Sequence, residues 1–251
     1  MPDYEKYINK LDEILKLNNV CLSHGIQHAI TVMCNARDCL EENKVVINSI
    51  CYELKENEVK SVLLAALLHD ADDKKFFPNN KNYENLRIIL EGETEDFINI
   101  VITMVDLVSS SKNGDRIPDF VKDKLWMLIP RYADRLEAIG IIGIERCYQY
   151  GKTTKNPLFI NTTPRPINVS EIWNYASQER YDRYTGKSDS MMDHYFDKLV
   201  RLTLFPFRNE YFDFECSKRR QPIIDFILFF SERNIITDED VIDFIKNYKY
   251  V

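Results

Sequence analysis

The run Val62-Leu63-Leu64-Ala65-Ala66-Leu67-Leu68 constrains this chain more than any other seven residues in it. Wound as a helix, it is apolar on almost every face, so other helices must surround it. Its alanines and its length, Glu58 to Asp70, argue against a strand. Tyr4, Tyr7, Ile8, Leu11, Ile14 and Leu15 form an apolar stripe at helical spacing, and a second helix is expected from an N-cap at Ser23 toward Leu40. Further helices are expected around 81–92, 94–110, 118–128, 131–150, 170–182, 188–204, 208–231 and 238–248. Few segments alternate with the period of two that a sheet requires, and Gly151 to Ser170, with Pro157, Pro164 and Pro166, reads as a long irregular loop. The expected fold is an all-α bundle, one domain over 1–251, in which the part after about residue 170 is a C-terminal helical extension over the core.

The 251 residues carry 45% hydrophobic side chains, enough for a sizeable core, and a net charge of −7. That balance speaks against nucleic acid as a partner. Cys21, Cys34, Cys39, Cys51, Cys147 and Cys216 form no CxxC pair and read as reduced thiols. The amphipathic start MPDYEKYINKLDEIL does not read as a secretory signal, and no apolar stretch reaches the length of a membrane span. A cytoplasmic protein is expected, with assembly into a homo-oligomer left open.

Chemistry concentrates in His28, the dipeptide His69-Asp70 that ends the apolar run, and Asp134. Two imidazoles and two carboxylates from separate helices make a ligand set for a divalent metal. Side chains of adjacent helical residues diverge by about 100°, so His69 and Asp70 reach one ion only near a helix end, which ADDKKFFPN supplies. Burying an unpaired carboxylate beside LLAALL costs several kcal/mol, and a metal would relieve it. The plainer alternative is a helix terminus where Asp70 pairs with a Lys or Arg and His69 packs on the core. For Asp134 it is a surface acid paired with Arg131 or Arg135. His24 and His28 lie one turn apart on one face; His28 is taken as the ligand and His24 as a supporting catalytic residue.

These segments, in order, resemble the HD-domain phosphohydrolase superfamily, and within it a branch of small stand-alone hydrolases. SHGIQHAITV resembles the first motif of that branch and LLAALLHDADDKKFF the motif that names the superfamily. YADRLEAIGIIGIERCYQYGK resembles the third, with its AIG-x-x-GI-x-R pattern, and SMMDHYFDKL a late His-x-x-x-Lys segment. The matches span about residues 21–204. The resemblance implies that His28, His69, Asp70 and Asp134 hold one divalent cation, such as Mn, Mg, Ni, Co or Fe, for hydrolysis of phosphate esters or anhydrides. Gly25 and Thr31 stand where many bacterial relatives carry Asp and Arg. No histidine lies between residues 70 and 193, so a mononuclear site is expected.

The expected activity is metal-dependent phosphohydrolysis of a small phosphorylated metabolite, a nucleotide, by pyrophosphohydrolase or phosphatase chemistry. Asp73, about one turn past His69, could orient water or accept a proton, or else pair with Lys74 or Lys75 at a helix end. No Walker-type glycine loop is present, so phosphate contacts must come from Lys74, Lys75, Arg135, Lys198 or Arg201, together with His194. Tyr175, Tyr181, Tyr184, Tyr195 and Trp173 either stack on a base or pack the core. The competing readings are a phosphodiesterase or monophosphatase, and an HD fold that binds a nucleotide without turning it over.

Overall fold

The computed structural model describes residues 4–21 and 24–249, and helices dominate it. The fold is all-α, as the patterning of apolar residues predicts. The chain divides into two compact units: one runs up to Asp134 and includes Phe207–Phe212; the other comprises Arg135–Pro206 and Asp213–Val251.

The first unit contains α1 (Glu5–Leu17), α2 (Ile26–Asp38), a hairpin of β1 (Lys44–Ile47) and β2 (Ile50–Glu53), α3 (Glu56–Leu67), α4 (Glu84–Ile89), α5 (Glu95–Val108), α6 (Ser110–Asn113) and most of α7 (Ile129–Glu137). Helix α3 packs against both α2 and α5. Val62, Leu64, Ala65, Ala66 and Leu68 have no exposed surface, so the all-round apolar run is the middle helix of the unit. Each such Leu or Val contributes about 1.5–3 kcal/mol by leaving water. Tyr7, Leu11 and Leu15 are the buried stripe of α1. Glu93 closes this side: its carboxylate accepts from the Tyr7 hydroxyl and from Lys60 Nζ at 2.8 and 2.9 Å.

The hairpin is absent from the sequence reading. Asn48 and Ser49 both have positive φ, 49° and 66°, the two-residue turn whose twist suits a hairpin. Val45 and Ile47 of β1 face inward, and four residues per strand leave too short an alternation to stand out.

The second unit contains α8 (Gly140–Thr154), α9 (Val169–Tyr175), α10 (Gln178–Asp182) and α11 (Met191–His194), which runs through a π turn at Tyr195–Leu199 into α12 (Val200–Leu202). Most of α13 (Glu210–Ser231) and all of α14 (Asp238–Lys249) complete it.

Several expected helices are shorter or divided. The segment 118–128 forms two 3-10 turns, Asp119–Val121 and Leu125–Leu128, and 81–92 keeps a helix only over Glu84–Ile89. The helix expected over 170–182 breaks at Ala176, where the Ser177 hydroxyl accepts from Arg180 N–H and starts α10. The helix expected over 131–150 breaks after Glu137. There Gly140 adopts φ +75°, a left-handed conformation that glycine tolerates, with Arg219 Cβ only 3.0 Å from where a Cβ would sit. A Cβ on Gly143 would fall 2.4 Å from the Ala138 carbonyl oxygen, and Arg146 Nη1 donates to the Glu137 carbonyl at 3.0 Å. The AIG-x-x-GI-x-R pattern is therefore a compact helix-to-helix joint.

All six cysteines are free thiols. Among the described residues no helix is long and apolar enough to cross a membrane.

Candidate metal centre

Three elements of the first unit converge on one point. His28 lies on the buried face of α2 with Ala29, Val32 and Met33. Gly25 is the N-cap of this helix, and the expected cap Ser23 lies outside the described residues. His69 and Asp70 stand just beyond Leu67, the last residue of α3, in the turn where adjacent side chains can converge. Asp134 projects from α7.

The Nε2 atoms of His28 and His69 are 3.2 Å apart. Asp134 Oδ1 lies 3.5 Å from each of them, and Asp70 Oδ2 lies 3.4 Å from His69 Nε2 and 3.9 Å from His28 Nε2. The ligand atoms of His28, His69 and Asp134 fall within 4.8 Å of one another. Donors about 2.0–2.2 Å from one ion sit about 3.0 Å apart at a right angle and about 3.4 Å apart at the tetrahedral angle. The separations among His28, His69 and Asp134, 3.2–3.5 Å, lie near the tetrahedral value, so these three donors fit a single small cation, with Asp70 beside them.

Orientation and charge point the same way. His69 Nδ1 is 2.8 Å from the Ala66 carbonyl, which can only accept; Nδ1 therefore carries the proton and Nε2 presents a lone pair to the cluster. The imidazoles are buried, whereas Asp70 and Asp134 keep 21% and 29% of their side chains exposed. Burial alone would lower the pKa of His69, but the Asp70 and Asp134 carboxylates outweigh it and raise the pKa to about 9. Burial would raise Asp70 and Asp134, yet the surrounding histidines hold both well below the usual carboxylate range. Without a metal, a second proton on His69 thus balances the carboxylates, and a cation would take that proton's place at Nε2.

Two features behind the cluster escape the sequence reading. Buried Asn35, two turns after His28, donates to the Ala133 carbonyl at 3.4 Å and accepts from the Tyr211 hydroxyl at 2.9 Å, tying α2 to the turn of α7 that bears Asp134. Asp72 accepts from the backbone N–H groups of Asn85 and Leu86 at 3.1 and 3.0 Å, which anchors the segment after Asp70 to the start of α4. A lone Asn and the middle Asp of DADD carry no pattern that announces either role.

Asp70 lies against His69 and His28. Fully buried Arg131 donates to the carbonyls of Leu107 at 2.6 Å and Arg116 at 3.0 Å. Asp73 closes its own turn, its Oδ1 accepting from Lys75 N–H at 2.8 Å and its Oδ2 lying 4.0 Å from Lys75 Nζ. His24 is half-buried, its Nδ1 3.4 Å from Cys21 Sγ and its ring 6.2 Å from that of His28. Lys74 and Lys75 are exposed, and Lys74 donates to the Asn80 carbonyl.

Arg135, His194 and Lys198 belong to the second unit. Arg135 is buried. His194 lies 3.2 Å from Ser188 Oγ through Nδ1, with its ring 5.4 Å from Tyr184, and Lys198 Nζ is 5.7 Å from the centre of that same ring. Arg201 donates to the Ala176 carbonyl at 2.5 Å, and Tyr195 is fully buried.

No family model matches the chain. It is 37% identical over 238 residues to the uncharacterized protein L803 of Acanthamoeba polyphaga mimivirus, covering 87% of this chain and 92% of that protein. The chain belongs to one family with L803. Solved structures resemble it over nearly their whole length. A structural-genomics target from Lactobacillus plantarum superposes with a TM-score of 0.64 at 21% identity, covering 92% of this chain and 96% of that one. An HD-superfamily hydrolase from Bacillus thuringiensis gives 0.58 at 20% identity, with the same coverage. YpgQ of Bacillus subtilis gives 0.55 at 19% identity, covering 88% and 93%. The fold is that of the HD domain.

Proposed function

We propose that this chain is a metal-dependent phosphohydrolase acting on a small phosphorylated metabolite, most favourably a nucleotide. The observation that carries the reading is the convergence of His28, His69 and Asp134 at separations matching one ion, with Asp70 Oδ2 3.4 Å from His69 Nε2 and His69 held so that Nε2 faces inward. The likeness in fold to an HD-superfamily hydrolase supports the reaction class. These four side chains would hold one divalent cation, which when bound supplies charge for a phosphoryl oxygen and acidifies water. The Ala66 carbonyl fixes the His69 ring, and Asn35 braces the helix turn before Asp134, so the donors are positioned in advance. His24 and Asp73, beside the ligand-bearing segments, are assigned proton acceptance or water orientation. Lys74 and Lys75, in the same unit as the cluster, are assigned contacts to the phosphate groups.

The test is turnover of a panel of nucleoside mono-, di- and triphosphates with Mn or Mg, the products separated by chromatography. Monophosphate plus pyrophosphate from a triphosphate establishes a pyrophosphohydrolase, and orthophosphate a phosphatase. Metal-loaded protein that binds nucleotide and yields no product refutes the enzyme reading in favour of a sensor.

A further inference from the structure

The second unit holds a cavity of about 370 Å³ whose lining includes Arg180, Arg183, Tyr184, Thr185, Lys187 and Asp197. That volume is within the ordinary range for a small-molecule site. Its inner wall is held by a hydrogen-bond network. The Arg180 guanidinium donates through Nε to Asp197 at 2.5 Å and through Nη2 to Asp193 at 3.0 Å, and lies 5.5 Å from the centre of the Phe196 ring. Asp193 is itself buried and fixed, accepting from the hydroxyls of Thr163 at 2.8 Å and Ser190 at 2.6 Å. Arg180 is therefore committed to structure.

The rim is different. Exposed Arg183 pairs only with exposed Glu179, at 2.5 Å, the kind of surface pair that contributes little and exchanges readily. Exposed Lys187 has no ion-pair partner among the described residues. Between them lie the Tyr184 ring, the Thr185 hydroxyl and Gly186, which has φ +97° and brings the chain around so that Thr185 and Lys187 line the same cavity. Three cations, Arg180, Arg183 and Lys187, meet two carboxylates, Glu179 and Asp197, in this lining, so it carries a net positive charge on a chain of net charge −7.

We propose that this cavity is a second binding site, specific for the phosphate groups of a small anionic metabolite and independent of the metal cluster. Arg183 exchanges its Glu179 partner for phosphate oxygens, Lys187 adds a point charge, and Thr185 donates a hydrogen bond. Because Arg180 is already fixed, little ordering accompanies capture beyond that of two rim side chains.

The test is calorimetric titration of the full chain in EDTA with inorganic pyrophosphate, with a nucleoside triphosphate, and with the parent nucleoside. The proteins are wild type, the double variant Arg183→Ala/Lys187→Ala, and Asp70→Ala. Both altered rim residues are exposed, so folding is preserved in the double variant. The expected result is pyrophosphate binding of equal strength to wild type and Asp70→Ala, weakened about tenfold or more in the double variant, as loss of charge-assisted hydrogen bonds requires. Tighter binding of the triphosphate than of pyrophosphate would name a nucleotide as the natural ligand, and equal binding a free polyphosphate. No binding to wild type, equal binding to the double variant, or equal binding of the nucleoside overturns the proposal. Loss in Asp70→Ala with retention in the double variant would assign the anion to the metal cluster instead.

Discussion

Substituting Gly143 by alanine should destabilise the protein, although the same change inside a helix ordinarily stabilises. Removing an interior glycine is worth about 0.5–1 kcal/mol in a helix. At Gly143, however, the new methyl would lie 2.4 Å from the Ala138 carbonyl oxygen and 2.6 Å from its carbon, both backbone atoms that no side-chain rotation can move. The joint between α7 and α8 would have to open by roughly half an ångström or more, and overpacking of this kind costs about 1–3 kcal/mol. The net loss is about 1–2 kcal/mol, or roughly 2–8 °C in Tm for a chain of this size. Gly151 in the same helix supplies the control, since a Cβ there meets nothing nearer than 3.9 Å. Gly151→Ala should leave stability unchanged or raise it by up to about 1 kcal/mol. Urea and thermal unfolding of both variants read the difference. Equal stability of the two would refute the account of the joint.

Leu64→Ala, in the middle of α3 with no exposed surface, should cost about 2–5 kcal/mol in urea unfolding, and a loss below about 1 kcal/mol would contradict the central place of that helix. The Lys60–Glu93 pair should be worth about 1 kcal/mol at neutral pH. Burial would raise the pKa of Glu93, but hydrogen bonds from Lys60 and Tyr7 lower it below its ordinary value of 4.5. Its contribution is therefore present above that value and lost as pH falls through the depressed folded pKa. The stability gap between wild type and Lys60→Met should accordingly close in acid; a gap that widens there would show the sign to be wrong.

The sequence carries the fold where many residues repeat one instruction. The run Val62–Leu68 demands enclosure on all sides, and the Tyr7–Leu11–Leu15 stripe demands one partner face; both are met. Legibility fails where a few residues decide. The hairpin rests on Asn48 and Ser49 in left-handed turns, and the break after Glu137 on Gly140 and the close approach at Gly143. Neither alters the apolar period over a length that a pattern can register.

The candidate site divides likewise. Residue chemistry and order single out His28, His69, Asp70 and Asp134, and the helix end needed for His69 and Asp70 to converge is visible in ADDKKFFPN. What fixes them is not visible there. The Ala66 carbonyl that orients His69 is backbone, and Asn35 reaches Ala133 across 98 positions of chain. Arg183 and Lys187 line one cavity, with Gly186 at φ +97° between them.

The measurement closest to the central claim is a count of Mn ions bound per chain, by electron paramagnetic resonance titration of wild type and Asp70→Ala, with circular dichroism confirming that both are folded. One tight ion in wild type, lost in Asp70→Ala, is the result the cluster geometry predicts. A wild-type protein that binds no ion, or a folded Asp70→Ala protein that binds it equally well, would contradict the assignment of His28, His69, Asp70 and Asp134 as a metal centre.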